Sequence, residues 1–182
     1  MVRLLCIFFL VFAPFACAEE ILTICYNYGC LSKAEVRLTT IQLEEVHGLL
    51  NGSAGAEPER AAIAAAVAQM YQFAGEQTPI WHDKGGNYAD DLVDGRMDCI
   101  DHSANTTSWL RLFSEKGWLR FHEVLKPTKR GLIFTHWAAR IRDSTSGQRF
   151  AVDSWFFDHG HPAAIFTQEE WKAGAIANDT FR

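Results

Sequence analysis

The chain has 182 residues, 48% of them hydrophobic, with 17 Lys and Arg against 22 Asp and Glu for a formal charge of −5. That is enough for one ordinary domain with a buried core and too short for two. The acidic balance and the lack of a basic stripe exclude electrostatic nucleic-acid binding and give no support to polybasic membrane attachment.

The first residues read as an address rather than as fold. Arg3 supplies a positive start, Leu4 to Phe12 a short apolar run, and Ala16-Cys17-Ala18 a small-residue cleavage site. A secretory signal peptide over 1–18, cut after Ala18, is expected. The apolar run is too short to span about 30 Å of hydrocarbon. Lipid attachment at Cys17 is the competing reading, and Pro14 and Phe15 suit it poorly. Removing Arg3 takes the charge from −5 to −6. A mature chain of 19–182, forming one domain in the periplasm or outside the cell, is the expectation, with no later segment apolar enough to be an integral membrane span.

Ile21 to Cys25 predicts a first strand. In Cys25-Tyr26-Asn27-Tyr28-Gly29-Cys30, two close thiols flank a turn-permitting Gly, and an oxidising compartment favours their pairing as a disulfide. A metal clip from the same thiols lacks a second ligand pair at zinc-finger spacing. Thr39 or Thr40 should cap a helix to about Leu50. Pro58 marks the first turn of a second helix through Ala61–Ala66 to about Phe73. A loop-rich stretch from Gly75 to Gly95 precedes a third helix, from about Asp98 to Glu115, stopped by Gly117.

After Gly117 the pattern changes. Trp118–Leu125, Leu132–Arg142 and Gln148–Trp155 predict strands, punctuated by turns at Lys126–Gly131 and Asp143–Gly147. Thr167 and Glu170 form a capping-box pattern for a short last helix. Helices first and an antiparallel meander second predict an α+β fold.

With Cys25 and Cys30 paired and the leader removed, Cys99 is the odd thiol, and an odd cysteine in an exported chain suggests a reactive group or an intermolecular bridge. It falls at a helix start, where unpaired N–H groups and the helix dipole favour a thiolate. If Arg142 faces Gly147 across a hairpin, His136 falls opposite Asp153 on one face, with Cβ atoms about 4.5–5.5 Å apart. The same register gathers Ile133, Trp137, Ala139, Phe150, Val152 and Phe156 on the other face as a core layer. It also opposes Arg140 to Arg149. A thiol, an imidazole and an orienting carboxylate are the parts of nucleophilic acyl transfer. The Cys99 N–H supplies one oxyanion donor, and Trp81, Asn87 and Tyr88 are unranked candidates for a second. Asp98 and Asp101 oppose the thiolate unless they turn outward or hold a cation.

These parts resemble the transglutaminase-like fold within the papain-like cysteine enzymes, over about 80–159. Asp98-Cys99-Ile100-Asp101, the intervals to His136 and Asp153, and the His136-Trp137 pair resemble the bacterial transglutaminase-like cysteine proteinases, which are periplasmic. The resemblance implies the Cys helix packed on an antiparallel sheet, with Cys99 as nucleophile, His136 as base and acid, and Asp153 as orienting group. Calcium-binding members use acids flanking the nucleophile. Asp98 matches, but Ile100 stands where a second acid would help. Read from the residues alone, Asp90, Asp91 and Asp94 with Asp98 are weak calcium candidates that read first as a solvated acidic loop starting the helix. No other metal or cofactor is implied.

Blander roles stand beside these. His102, one helical turn from Cys99, reads as a wall residue or a satisfied polar group rather than a competing base. Asp158-His159-Gly160-His161 reads as a surface loop before a metal site. Three Asn-x-Ser/Thr triplets, beginning at Asn51, Asn105 and Asn178, match glycosylation acceptors. The expected function is an exported thiol hydrolase acting on peptide or amide bonds of a protein or peptide substrate. An acyl or amide transferase, or a non-catalytic envelope-associated binding module, is the alternative.

Overall fold

A computed structural model describes residues 19–177, and the expected leader at 1–18 lies outside the described residues. Two antiparallel sheets and four α-helices make an α+β fold. The first sheet pairs β1 (Glu20–Tyr26) with β2 (Ser32–Leu38), Ile24 facing Ala34. Only β1 is expected from sequence. Yet β2 alternates Ala34, Val36 and Leu38 inward with exposed Lys33, Glu35 and Arg37, a period-two pattern that its charges disguise.

The helices follow their local signals. Thr39 caps α1 (Thr40–Asn51) through a capping box with Gln42. Pro58 lies in the first turn of α2 (Ala56–Gly75), where a missing N–H breaks no helical bond. A 3₁₀ turn at Pro79–His82 follows. Asp98 caps α3 (Cys99–Glu115). Gly117 ends it at φ +70°, with Trp118 N–H bonding Phe113 O at 2.9 Å and Gly117 N–H bonding Ser114 O at 2.9 Å. Those paired bonds satisfy the last carbonyls, and a side chain at Gly117 would resist that backbone angle.

The second sheet runs in the order β3 (His122–Arg130), β4 (His136–Asp143), β5 (Arg149–Asp153) and β6 (Ala164–Thr167), followed directly by α4 (Gln168–Lys172). Thr167 and Glu170 form the expected capping box of α4. β6 is too short to signal itself in the sequence. The expected turn at Lys126–Gly131 is instead mostly strand, because a bulge between Leu125 and Thr128 takes up Pro127 without costing a ladder bond. The true connection is 131–135, so Leu132, Ile133 and Phe134 lie outside β4 and are 100%, 87% and 93% exposed. Ile133 is therefore not part of the core layer.

The hairpin register also differs from expectation, by two residues. Arg142 faces Arg149, Ile141 faces Phe150 and Ala139 faces Val152. The Asp143 carboxylate accepts the N–H groups of Thr145 and Ser146 at 2.8 and 2.9 Å, and Gly147 turns at φ +74°. Gly147 thus belongs to the loop rather than to a strand pair. Arg140 faces Ala151 in place of Arg149. A shift of two keeps every side chain of the paired ladder on its predicted face, whereas a shift of one would exchange the faces.

Ala139, Ile141, Phe150 and Val152 accordingly join Val46, Ile63, Met70, Trp109 and Phe113 in the main core, between sheet and helices. On the opposite sheet face, Ala138 and Ala151 pack on Trp171 of α4. His136 and Asp153 share that second face. Trp137 and Phe156 are only half-buried, and Phe156 lies against His136 rather than in the core layer. No helix among the described residues is long and apolar enough to cross a membrane.

Candidate active site

The site is built where the start of α3 meets the His136 end of β4. Asp98 accepts the Ile100 and Asp101 N–H groups at 2.9 and 3.0 Å, and this cap does not use the N–H of Cys99. Cys99 is a free, half-buried thiol whose Sγ donates to Thr135 O at 3.9 Å. The next residue is His136. Its Nε2 donates to Asp153 Oδ2 at 2.7 Å. The two-residue register shift makes this a diagonal rather than a direct cross-strand pair, a distance that an imidazole still spans.

Asp153 is 1% exposed and held by three donors. Besides His136, Trp171 Nε1 donates to Oδ2 at 2.8 Å and the Trp155 N–H donates to Oδ1 at 3.2 Å. The rings of Trp155, Trp171 and Phe156 surround His136 at 4.6, 5.6 and 5.7 Å between centroids. Burial among them pushes the imidazole down. Hydrogen bonding to Asp153 and to Cys99, with the charge on each, outweighs that and raises His136 to about 9.

Cys99 and His136 line one cleft of about 830 Å³ with Asn87, Tyr88, Trp155 and Phe156. Trp155 Nε1 donates to Asn87 Oδ1 at 2.5 Å, so the Asn87 amide is fixed through its oxygen with its N–H groups left over. Tyr88 lines the same cleft but is 88% exposed. Trp81 is not among the lining residues. Its ring lies tilted against that of His82, with 3.5 Å between centroids.

The acids beside Cys99 are occupied. The Asp98 carboxylate accepts from Gly29 N–H at 3.0 Å, and Asp101 accepts from Cys30 N–H at 2.6 Å. Both donors sit on the loop closed by the Cys25–Cys30 disulfide, where Asn27, Tyr28, Gly29 and Cys30 all have positive φ. Burial raises Asp101 to about 6, against the lowering effect of the Cys30 N–H, with the neighbouring Asp98 charge adding to the rise. Asp94 Oδ1 accepts from Asn27 Nδ2 at 2.9 Å. The calcium candidates Asp94 and Asp98 therefore spend oxygen lone pairs on this loop. The one three-residue grouping with metal-ligating atoms among the described residues is Cys25, Cys30 and Asp101, and its two sulfurs are joined.

His102 does not line the cleft. It is buried, with Nε2 3.0 Å from Asp83 Oδ2 and Nδ1 3.0 Å from both Tyr71 Oη and Ser154 Oγ. This network ties α2, α3 and the end of β5 together. Burial raises Asp83, against the opposing pull of His102. Asp158 pairs with Lys84 at 2.9 Å and accepts from Gly85 N–H at 3.0 Å, which fits the loop reading of 158–161. Asn105 is 1% exposed and bonds both Cys25 N and O, at 2.7 and 2.8 Å, so it is closed to a glycan.

Sequence reading does not find Trp171 or the Trp155 N–H as partners of Asp153, nor Asp83 as the partner of His102. None of these carries a local motif. The only available signal was an indole inside a capped amphipathic turn, which needs a buried acceptor when it packs inward. No family model matches the chain, and no curated protein or solved structure matches it.

Proposed function

We propose that this chain is an exported thiol hydrolase of the transglutaminase-like, papain-like type, cleaving peptide or other amide bonds through an acyl-thioester on Cys99. The supporting observation is the imidazole of His136, hydrogen-bonded to a buried carboxylate and lining the same cleft as a free thiol. In this reading the Cys99 thiolate attacks the carbonyl carbon and a tetrahedral oxyanion forms. The Cys99 N–H and the Asn87 amide are its donors. Collapse breaks the C–N bond, and the His136 imidazolium gives its proton to the leaving amine. Neutral His136 then takes a proton from water as the water oxygen bonds the thioester carbon. Collapse breaks the C–S bond, releases the carboxylic acid and returns the Cys99 thiolate beside the His136 imidazolium.

The disulfide and the charges on Asp98 and Asp101 fit this scheme, since backbone donors offset the two acids beside the sulfur. The disulfide is also what an oxidising compartment permits.

Iodoacetamide labelling at neutral pH, read by peptide mapping, tests the reading together with hydrolysis of a peptide library. Cys99 should label rapidly in the wild type and slowly in His136→Ala. Cys99→Ser should abolish hydrolysis while leaving the circular dichroism spectrum intact. Equal labelling of wild type and His136→Ala, or hydrolysis persisting in Cys99→Ser, defeats it and favours a binding module.

A further inference from the structure

We propose that the β3–β4 hairpin tip docks this protein on an anionic lipid surface. The connection 131–135 carries Leu132, Ile133 and Phe134 consecutively, at 100%, 87% and 93% exposure. Soluble proteins rarely leave large apolar side chains contiguous and uncovered unless something meets them. The tip has a defined shape: Gly131 turns at φ +79°, and any Cβ there would run into the Phe134 carbonyl. Ile133 and Phe134 line the mouth of the Cys99 cleft, as do Ile176, 65% exposed, and the exposed Lys172.

Charge selects the occupant. The chain as a whole is at −5, yet between Glu123 and Asp143 the sequence has no acid. Arg142 is paired with Glu123, and Lys126, Lys129, Arg130 and Arg140 remain on the two strands that meet at the tip. Lys126 and Lys129 are exposed on the strand leading to the tip. Composition hides this segregation because the acids lie elsewhere. Leu132, fully exposed and not among the residues lining the cleft, suits insertion at an interface, whereas a peptide held in the cleft would leave it bare. Basic residues behind an apolar tip match acyl chains beneath anionic headgroups. The inference does not rest on the hydrolase reading. Docking in this way turns the cleft mouth toward the lipid boundary.

Co-sedimentation with large vesicles tests it, using phosphatidylcholine alone and an equal mixture with phosphatidylglycerol. The protein is purified after export, and wild type and variants are confirmed to share one N-terminus. Wild type should bind the anionic vesicles, more weakly as salt rises, and bind phosphatidylcholine poorly. Leu132→Ser/Ile133→Ser/Phe134→Ser should weaken anionic binding about a hundredfold. Lys126→Glu/Lys129→Glu should weaken it about twentyfold or more, since each cation near such a surface is worth about fivefold.

If the triple variant fails to fold, Phe134→Trp supplies the second measurement. Bromine-labelled acyl chains should quench it more than wild type. No binding by wild type, undiminished binding by the folded triple variant, or no excess quenching of Phe134→Trp overturns the proposal. A concentration-dependent dimer that the triple variant loses, without vesicle binding, also overturns it and makes a second copy the occupant.

Discussion

Asp153→Asn separates the electrostatic role of the buried carboxylate from its shape. The carboxylate takes N–H donors from His136 and Trp171 on Oδ2 and from Trp155 on Oδ1. An amide offers one oxygen, so at least one buried donor is left facing an NH₂ group, at about 1–3 kcal/mol. The larger effect falls on His136. Removing the anion takes away the main upward influence while burial among Trp155, Trp171 and Phe156 remains. His136 should drop from about 9 to the ordinary imidazole value or below it. The full difference corresponds to at most about 3 kcal/mol, and screening at the cleft mouth reduces this to about 1–2 kcal/mol.

The sign is definite, because His136 is raised in the folded state. Its contribution is complete below about pH 6.5 and is lost as pH rises through about 9. The stability gap between wild type and Asp153→Asn should be widest near the lower value and narrow above the upper one. Selective isotope labelling of histidine gives the titration by NMR, and urea unfolding across pH gives the gap. In parallel, the iodoacetamide rate at Cys99 should fall at neutral pH in the variant. A variant His136 that still titrates near 9, with a pH-independent stability gap, would refute the electrostatic account.

Trp171→Phe removes the indole N–H from Asp153 while keeping an aromatic ring in the second core, and should cost about 1–3 kcal/mol in urea unfolding. Cys25→Ser/Cys30→Ser opens a short loop, which should lower stability by about 2 kcal/mol. Because that loop donates to Asp98 and Asp101, the same variant should also slow alkylation of Cys99. Gly95→Ala places a Cβ against the Pro79 carbonyl at φ +96°, so it should cost about 3 kcal/mol or prevent folding, read as a lowered melting temperature. Replacing Tyr88, which is almost fully exposed, with Ala should leave stability within about 0.5 kcal/mol, and a larger loss would show hidden packing.

Local chemistry and side-chain period determined much of this protein in advance. Asp98 capping α3, Thr39 capping α1, Gly117 ending α3 and the Thr167–Glu170 box are short-range bonds, visible wherever donor and acceptor lie within a few residues. The shared face of His136 and Asp153 was legible too, since parity survives any even shift in register. The shift itself was not. It depended on the Asp143 carboxylate closing the loop and drawing Gly147 out of the ladder. Tertiary structure alone decided which distant groups complete the site. Trp171 reaches Asp153 across 18 positions, Asn87 meets Trp155 across 68, and Asp101 holds Cys30 across 71. Those bonds come from layers packing on one another, and no periodicity along the chain encodes which faces will meet.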